Sequence, residues 1–314
     1  CLNHGHSSRT VNFDYFLHPN MLFAKLGSRG LFNWMSDKLY LQIAYYLKTG
    51  RTLNLDDPQL FNEKLQWLKL YDRKPLYSSL VDKYEVRTFI KNIIGEEYLI
   101  PLLGVWERFE DIDFSVLPEQ FVLKCTHDSG SGAICRDKKT FDKKEAKRVI
   151  GRSLKHNYFW NGREWPYKNV KPKVIAEKYM TDESQPQLID YKFYCMNGEV
   201  KFLYISQGLE NHTSARISFY DLDWRPLLIR RSDYRPFDHI VPKPYNADMM
   251  VELAQNLAKH IEADFVRIDL YEINKRIYFS EFTFFPCGGM MPFEPSKYDR
   301  IIGNELTLSN MKKN

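Results

Sequence analysis

Apolar residues recur at helical spacing in WMSDKLYLQIAYYL (34–47), FNEKLQWLKLY (61–71) and VDKYEVRTFIKNII (81–94), the last stopped by Gly95. Three amphipathic helices are predicted, and YLIPLLGVW behind them reads as a short strand with a turn. Beyond Pro118 the period changes. FVLKC, VIAEKYM, KFYCM, VKFLYIS and ARISFY are short β-branched and aromatic runs bounded by turn residues such as Asn197-Gly198, the signature of an antiparallel sheet. Helices are predicted again in FDKKEAKRVIGRSLK and DMMVELAQNLAKHIE. The segment FVRIDLYEINKRIYFSEF reads as two strands about a turn at Ile273-Asn274-Lys275. The aromatics of the first helices, Trp34, Tyr40, Tyr45 and Tyr46 among them, are assigned to core packing. No internal repeat or heptad run is present.

At 314 residues the chain is expected to form two lobes, or one domain with a sizeable extension. Lys plus Arg exceed Asp plus Glu by 45 − 40 = 5, an excess that suits acidic or phosphorylated substrates and makes no nucleic-acid stripe. The cysteines at 1, 125, 135, 195 and 287 are odd in number and form no CxxC pair, which fits a reducing, cytoplasmic setting. No apolar run approaches the roughly 18 to 20 residues that cross a bilayer. CLNHGHSSRT has no periodicity and is expected to be a trimmed or non-native end.

Chemistry is concentrated in two places. In FVLKCTHDSGSGAI, residues 121–134, a lysine at a strand end precedes a Ser/Gly-rich loop. Lys124 supplies a point charge, and the glycines let backbone N–H groups approach phosphate oxygens. The Walker spacing GxxxxGK[ST] is absent, and a surface turn after an edge strand would look the same. In the second place, alternation puts Arg267 and Asp269 on one face of a strand, and Glu281 and Thr283 on one face of the next. Paired as a hairpin, they would offer Mg²⁺ two carboxylates and phosphate an arginine. A cross-strand ion pair on a solvated face is the alternative reading. Between the two lie VIAEKYM and the DYKFY strand with Asp190 and Lys192.

That order of motifs resembles the ATP-grasp superfamily, and FNEKLQWLKLY, the DKYEVR run at 82–87, GEEYLIPLLGVW, FVLKCTHDSGSG, DYKFYCMNGE and FSEFTFFPCGG resemble its TupA-like, teichuronopeptide-biosynthesis branch over about residues 35–305. The resemblance implies an α+β fold with two lobes whose antiparallel sheets clamp ATP. A mostly helical region, 1–117, would precede an ATP-grasp domain, 118–314, with a smaller lobe at about 118–185 and a larger at about 186–305. It further implies that Lys124 touches the ATP phosphates and that Ser129, Gly130, Ser131 and Gly132 fold over them. Glu177 would accept from the adenine amino group, with the backbone from Lys178 to Met180 reading the ring edge. Asp190 would meet the ribose, Lys192 would point to phosphate, and Arg267 would stabilise the transferred phosphoryl group. Asp269 and Glu281 would hold Mg²⁺, and Gly288 and Gly289 would line the acceptor end. Thr283 stands where the superfamily usually has asparagine, which leaves the number of metal ions open. Asp82, Lys83 and Arg87 receive no role.

The implied activity is ATP-dependent joining of a carboxylate to an amine through an acyl phosphate. In the TupA-like branch the expected substrates are a uronic acid and an amino acid or amino sugar, in capsule or other cell-surface polysaccharide biosynthesis. A sugar kinase on the same scaffold is one rival. A nucleotide-sugar glycosyltransferase or a non-catalytic binding module is another, for which Asp221-Leu222-Asp223 is the only DxD-like pair. Arg216, Arg225, Arg230, Arg231 and Arg235 are further candidates for gripping an acidic sugar, although a solvated surface explains them better.

Overall fold

A computed structural model describes residues 18–209 and 214–311. The expectations for residues 1–10 and Cys1 lie outside them. Five helices open the described chain: α1 (Pro19–Ser28), α2 (Asp37–Thr49), α3 (Phe61–Tyr71), α4 (Pro75–Val81) and α5 (Val86–Ile93). Helix α2 starts three residues later than the apolar spacing suggests, because the Ser36 hydroxyl caps it by accepting from the Leu39 amide. Trp34 falls before it and is 77% exposed, and Tyr46 is exposed, whereas Tyr40 and Tyr45 are buried. The helix predicted over 81–94 is broken. Asp82 accepts from the Tyr84 and Glu85 amides and turns the chain between α4 and α5.

Four antiparallel strands make the smaller sheet, in the order β1 (Leu102–Trp106), β4 (Val174–Lys178), β2 (Phe121–Cys125), β3 (Gly132–Cys135). Strand β1 therefore belongs to this sheet, and a boundary at residue 117 would cut through it. Phe121, Leu123 and Cys125 alternate inward and pack with Ala146 and Ile150 of α6 (Lys143–Leu154), forming a core separate from that of the rest of the molecule. Val122 and Lys124 consequently face the other way.

After the short helix α7 (Phe159–Gly162), a five-stranded antiparallel sheet follows, ordered β10 (Arg276–Thr283), β9 (Phe265–Ile273), β5 (Ile189–Met196), β6 (Glu199–Gln207), β7 (Arg216–Tyr220). The turns at Asn197-Gly198 and Asn274-Lys275 have positive φ at both central residues, the twist that two-residue hairpins need. Tyr191, Phe193, Ile268 and Leu270 point to one face, where α8 (Ala247–Ile261) shares their core. The first five helices join the same core: Phe61 packs edge-on to Phe265 and Phe293, and Tyr77 lies 4.3 Å from Phe284. Two short strands, β8 (Arg230–Arg231) and β11 (Phe293–Glu294), pair before α9 (Lys297–Glu305). Asn62 knits the ends of the chain together. It exchanges two hydrogen bonds with the Met291 backbone and meets both Asp299 oxygens. No helix among the described residues is long and apolar enough to cross a membrane.

Candidate active site between two sheets

The polar face of the larger sheet is assembled by register. Lys192 on β5 lies opposite Asp269 on β9, and Asp269 lies opposite Glu281 on β10; one step along, Arg267 faces Thr283. A bulge at Ser280 makes this possible. The regular register from the Asn274-Lys275 turn, which holds as far as Phe279 opposite Leu270, would otherwise place Ser280 against Asp269 and Phe282 against Arg267. The extra residue returns Phe282 to the core and presents Glu281 and Thr283 to the polar face.

Arg267 is the hub of this face. Its guanidinium donates to both Asp269 oxygens at 2.7 and 2.6 Å, to Thr283 Oγ1 at 2.9 Å, to the Tyr204 hydroxyl at 3.2 Å and to Glu281 at 3.3 Å. Lys192 donates to Asp269 at 2.5 Å and lies 3.5 Å from Asp190. Burial alone would raise the Asp269 carboxyl, but Arg267 and Lys192 outweigh it and the net shift is downward. Burial would likewise lower Lys192, yet Asp190 and Asp269 hold its ammonium charged. Asp190 moves the other way: desolvation raises it, and its Oδ1 is buried without a hydrogen bond.

Lys124 faces this cluster from the smaller sheet. It ion-pairs with Glu177 at 2.8 Å, its side chain is 34% exposed, and the carboxylates of Glu281 and Asp190 across the cleft help to keep it charged. Arg87 also reaches Glu177, at 3.4 Å, and donates to the Ile100 carbonyl. The two facing groups thus hold four cations (Arg87, Lys124, Lys192, Arg267) and four carboxylates (Glu177, Asp190, Asp269, Glu281), a formal balance of 4 − 4 = 0. The loop after Lys124 is braced from below. Asp128 accepts from the Ser131 and Ser153 hydroxyls, and Lys83 donates to the Asp128 carbonyl. Gly130 has φ +89° and opens onto free space, while Gly132 is the first residue of β3. At the mouth, Lys178, Tyr179, Met180 and Thr181 line a cavity of about 310 Å³ against the β9–β10 turn.

A family model described as TupA-like ATP-grasp matches residues 63–307. The chain belongs to the TupA-like ATP-grasp family. No curated protein matches it in sequence. Among solved structures it is similar to a D-alanine–D-alanine ligase from Bacillus anthracis complexed with ATP, at 15% identity over 65% of this chain and 54% of that one, TM-score 0.38. It is also similar to an L-amino acid ligase from Bacillus licheniformis, at 10% identity over 79% and 55%, TM-score 0.39. A third is the ATP-grasp ligase PsnB complexed with a phosphomimetic variant of its minimal precursor, Mg and ADP, at 9% identity over 77% and 64%, TM-score 0.40. The chain covers between 54% and 64% of the length of these three structures.

The structure brings Lys124 and Glu177 on one sheet to face Asp190, Lys192, Arg267, Asp269, Glu281 and Thr283 on the other. Glu177 sits between Lys124 and Arg87, with one oxygen towards each. Of the expected metal set, Asp269 is wholly buried against Arg267 and Lys192, Thr283 Oγ1 accepts from Arg267, and Glu281, with Arg267 at 3.3 Å, is the most exposed carboxylate. No group of three or more His, Cys, Asp or Glu side chains among the described residues is arranged to hold a metal ion. Of the arginines at 216–235, only Arg231 is buried, paired in a fork with Asp233. Asp221 caps a turn by accepting from the Arg225 amide, and Asp223 pairs with Arg225 on the surface. Sequence reading left Lys83 and Arg87 without a task. The structure sets one beneath the glycine loop and the other on Glu177.

Proposed function

We propose that this protein is an ATP-dependent ligase that activates a carboxylate as an acyl phosphate and passes the acyl group to an amine, releasing ADP and phosphate. The observation that carries the reading is the facing of Lys124 on one sheet by Lys192 and Arg267 on the other, across a cleft in a chain of the ATP-grasp family. Phosphoryl transfer needs little covalent machinery, and cations placed around the transferred group carry most of the stabilisation. Lys124, Lys192 and Arg267 would neutralise the phosphoryl oxygens, and the Ser129–Gly132 loop would close over them. Asp190 would take the ribose, and the backbone from Lys178 to Met180 the adenine edge.

The residues present fit Mg²⁺ in kind. This ion is usually held by one or two carboxylates together with substrate phosphates, and Glu281, partly exposed and held by Arg267 at 3.3 Å, is a hard-oxygen donor beside the phosphate-facing cations. Asp269 would join by exchanging a contact with Lys192 or Arg267. The local charge is already balanced, so a triphosphate entering the cleft is better tolerated with its own counter-cation. When bound, Mg²⁺ would supply charge neutralisation between the phosphates. For substrates we propose a uronic acid and an amino acid or amino sugar in cell-surface polysaccharide assembly. Purified protein given ATP, Mg²⁺, uronic acids and a panel of amines should form amide with ADP and phosphate in equal amounts. AMP as the product would overturn the acyl-phosphate route, and a phosphorylated sugar without amide would favour the kinase.

A further inference from the structure

Beyond the phosphate-facing cluster lies a buried carboxylate with no hydrogen-bond or ion-pair partner among the described residues. Glu164, just after α7, is only 8% exposed, yet no donor or cation among the described residues hydrogen-bonds or ion-pairs with it. Such a group costs several kcal/mol to keep ionised unless something meets it. Its position is fixed by its neighbour. Arg163, at φ 54°, is stacked over Tyr40 and Trp160 at 4.5 and 4.4 Å and donates to the Phe32 carbonyl. That anchor holds the turn from which Glu164 projects.

Lys69 of α3 is close by but spoken for. Its ammonium donates to the carbonyls of Gly162 and Gly288, both at 2.7 Å, and sits 5.6 Å from the Phe285 ring. A Cβ on Gly162 would lie 3.6 Å from Glu164 Oε1 and 3.9 Å from Lys69 Nζ. Gln66 donates to the Gly288 and Gly289 carbonyls, and its own Oε1 is buried without a donor. A Cβ on Gly288 would meet nothing within 4 Å, so open space adjoins this knot. An acceptor-rich pocket short of donors beside open space suits a primary ammonium group, which brings three.

We propose that Glu164 receives the ammonium of the amine substrate and takes a proton from it, a role that rests on the ligase reading above. As the amine nitrogen bonds to the acyl carbon, the bond from that carbon to the phosphate oxygen breaks and the phosphate leaves with the electron pair. Of the two protons lost from the ammonium, one passes to Glu164 and the other to the departing phosphate. Among the described residues, the titratable groups near enough to act electrostatically on Glu164 include Lys69 from α3, Glu281 from β10, Cys287 from the loop after it, and Tyr158 and Tyr167 from either side of α7. Burial raises the Glu164 carboxyl above the usual range and Lys69 opposes it, the direction that makes a carboxylate a usable base near neutrality.

The test compares the full chain with Glu164→Gln, using glucuronate and galacturonate with ATP and Mg²⁺, and as nucleophile either glycine and glucosamine or hydroxylamine. Hydroxylamine is mostly uncharged at neutral pH and needs no proton acceptor before attack. Glu164→Gln should lower amide formation from the ammonium substrates by about 10²- to 10⁴-fold, with far smaller loss of hydroxamate. Equal loss with both nucleophiles, or no loss with either, overturns the assignment. If the Gln variant fails to fold, Glu164→Asp carries the same comparison. Should the wild-type chain form no ADP with any nucleophile, the ligase reading fails separately, and carboxyl ¹³C NMR still decides the site. The resonance missing from Glu164→Gln should titrate at lower pH when ethanolamine is added, and an unmoved midpoint overturns the ammonium site.

Discussion

Arg267 grips both oxygens of Asp269, two residues along the same strand, at 2.7 and 2.6 Å, and Lys192 reaches in from the neighbouring strand at 2.5 Å. Asp269→Asn would leave two buried cations short of a counter-charge, and should cost about 3–5 kcal/mol of stability by urea unfolding. The folded carboxyl lies below its unfolded value near 3.9, so its contribution is full above about pH 4 and is lost as pH falls through the folded pKa. The gap between wild type and variant should therefore shrink in acid. A gap that stays constant from neutral pH into acid would show that the pair does not carry the effect.

Lys124→Ala removes the cation that the smaller sheet offers to a phosphate and leaves Glu177 with Arg87 alone. A charge-assisted hydrogen bond is worth about 1.5–3 kcal/mol, so ATP affinity should fall by roughly ten- to a hundredfold. Calorimetric titration with Mg-ATP reads this directly. Undiminished affinity would remove Lys124 from the phosphate site.

Deleting Ser280 takes out the extra residue of the bulge and brings Glu281 opposite Asp269 in regular pairing. ATP binding by the deletion variant should survive, whereas inserting a second residue at the same point should abolish it by turning Phe282 towards Arg267. Loss of binding in the deletion would mean that the bulge's local twist is itself required.

The aspartates at 221 and 223 form a surface turn with Arg225. Replacing both with alanine should leave ATP affinity unchanged and cost at most about 1 kcal/mol in stability. A UDP-sugar that binds wild type in calorimetry but not this variant would instead favour glycosyl transfer.

The lobes, the hairpins and the lysine before the glycine loop were legible because each is written locally, in period-two alternation and in turn residues such as Asn197-Gly198. Alternation also put Arg267 with Asp269 and Glu281 with Thr283, but it could not supply the bulge at Ser280 that brings the two pairs together. Strand β1 was visible as a strand, yet its partner β4 lies about 70 residues on, and pairing at that distance leaves no local mark. The engagement of Glu177 by Arg87, and the isolation of Glu164 beside the Lys69 knot, are likewise facts of tertiary contact. Asp82 could have been read: an Asp that bonds amides two and three residues ahead interrupts a helix, and the apolar spacing across it masked that signal.

Lys69 joins three distant pieces of chain, α3, the end of α7 and the loop after β10, at one ammonium. A helix outside both sheets thereby fixes the chain around Gly162 and Gly288. If the proposed ligase reading holds, acceptor choice and nucleotide handling are separately adjustable, and a relative with a different sequence in α3 would exchange one amine for another while every strand residue around Arg267 stayed the same.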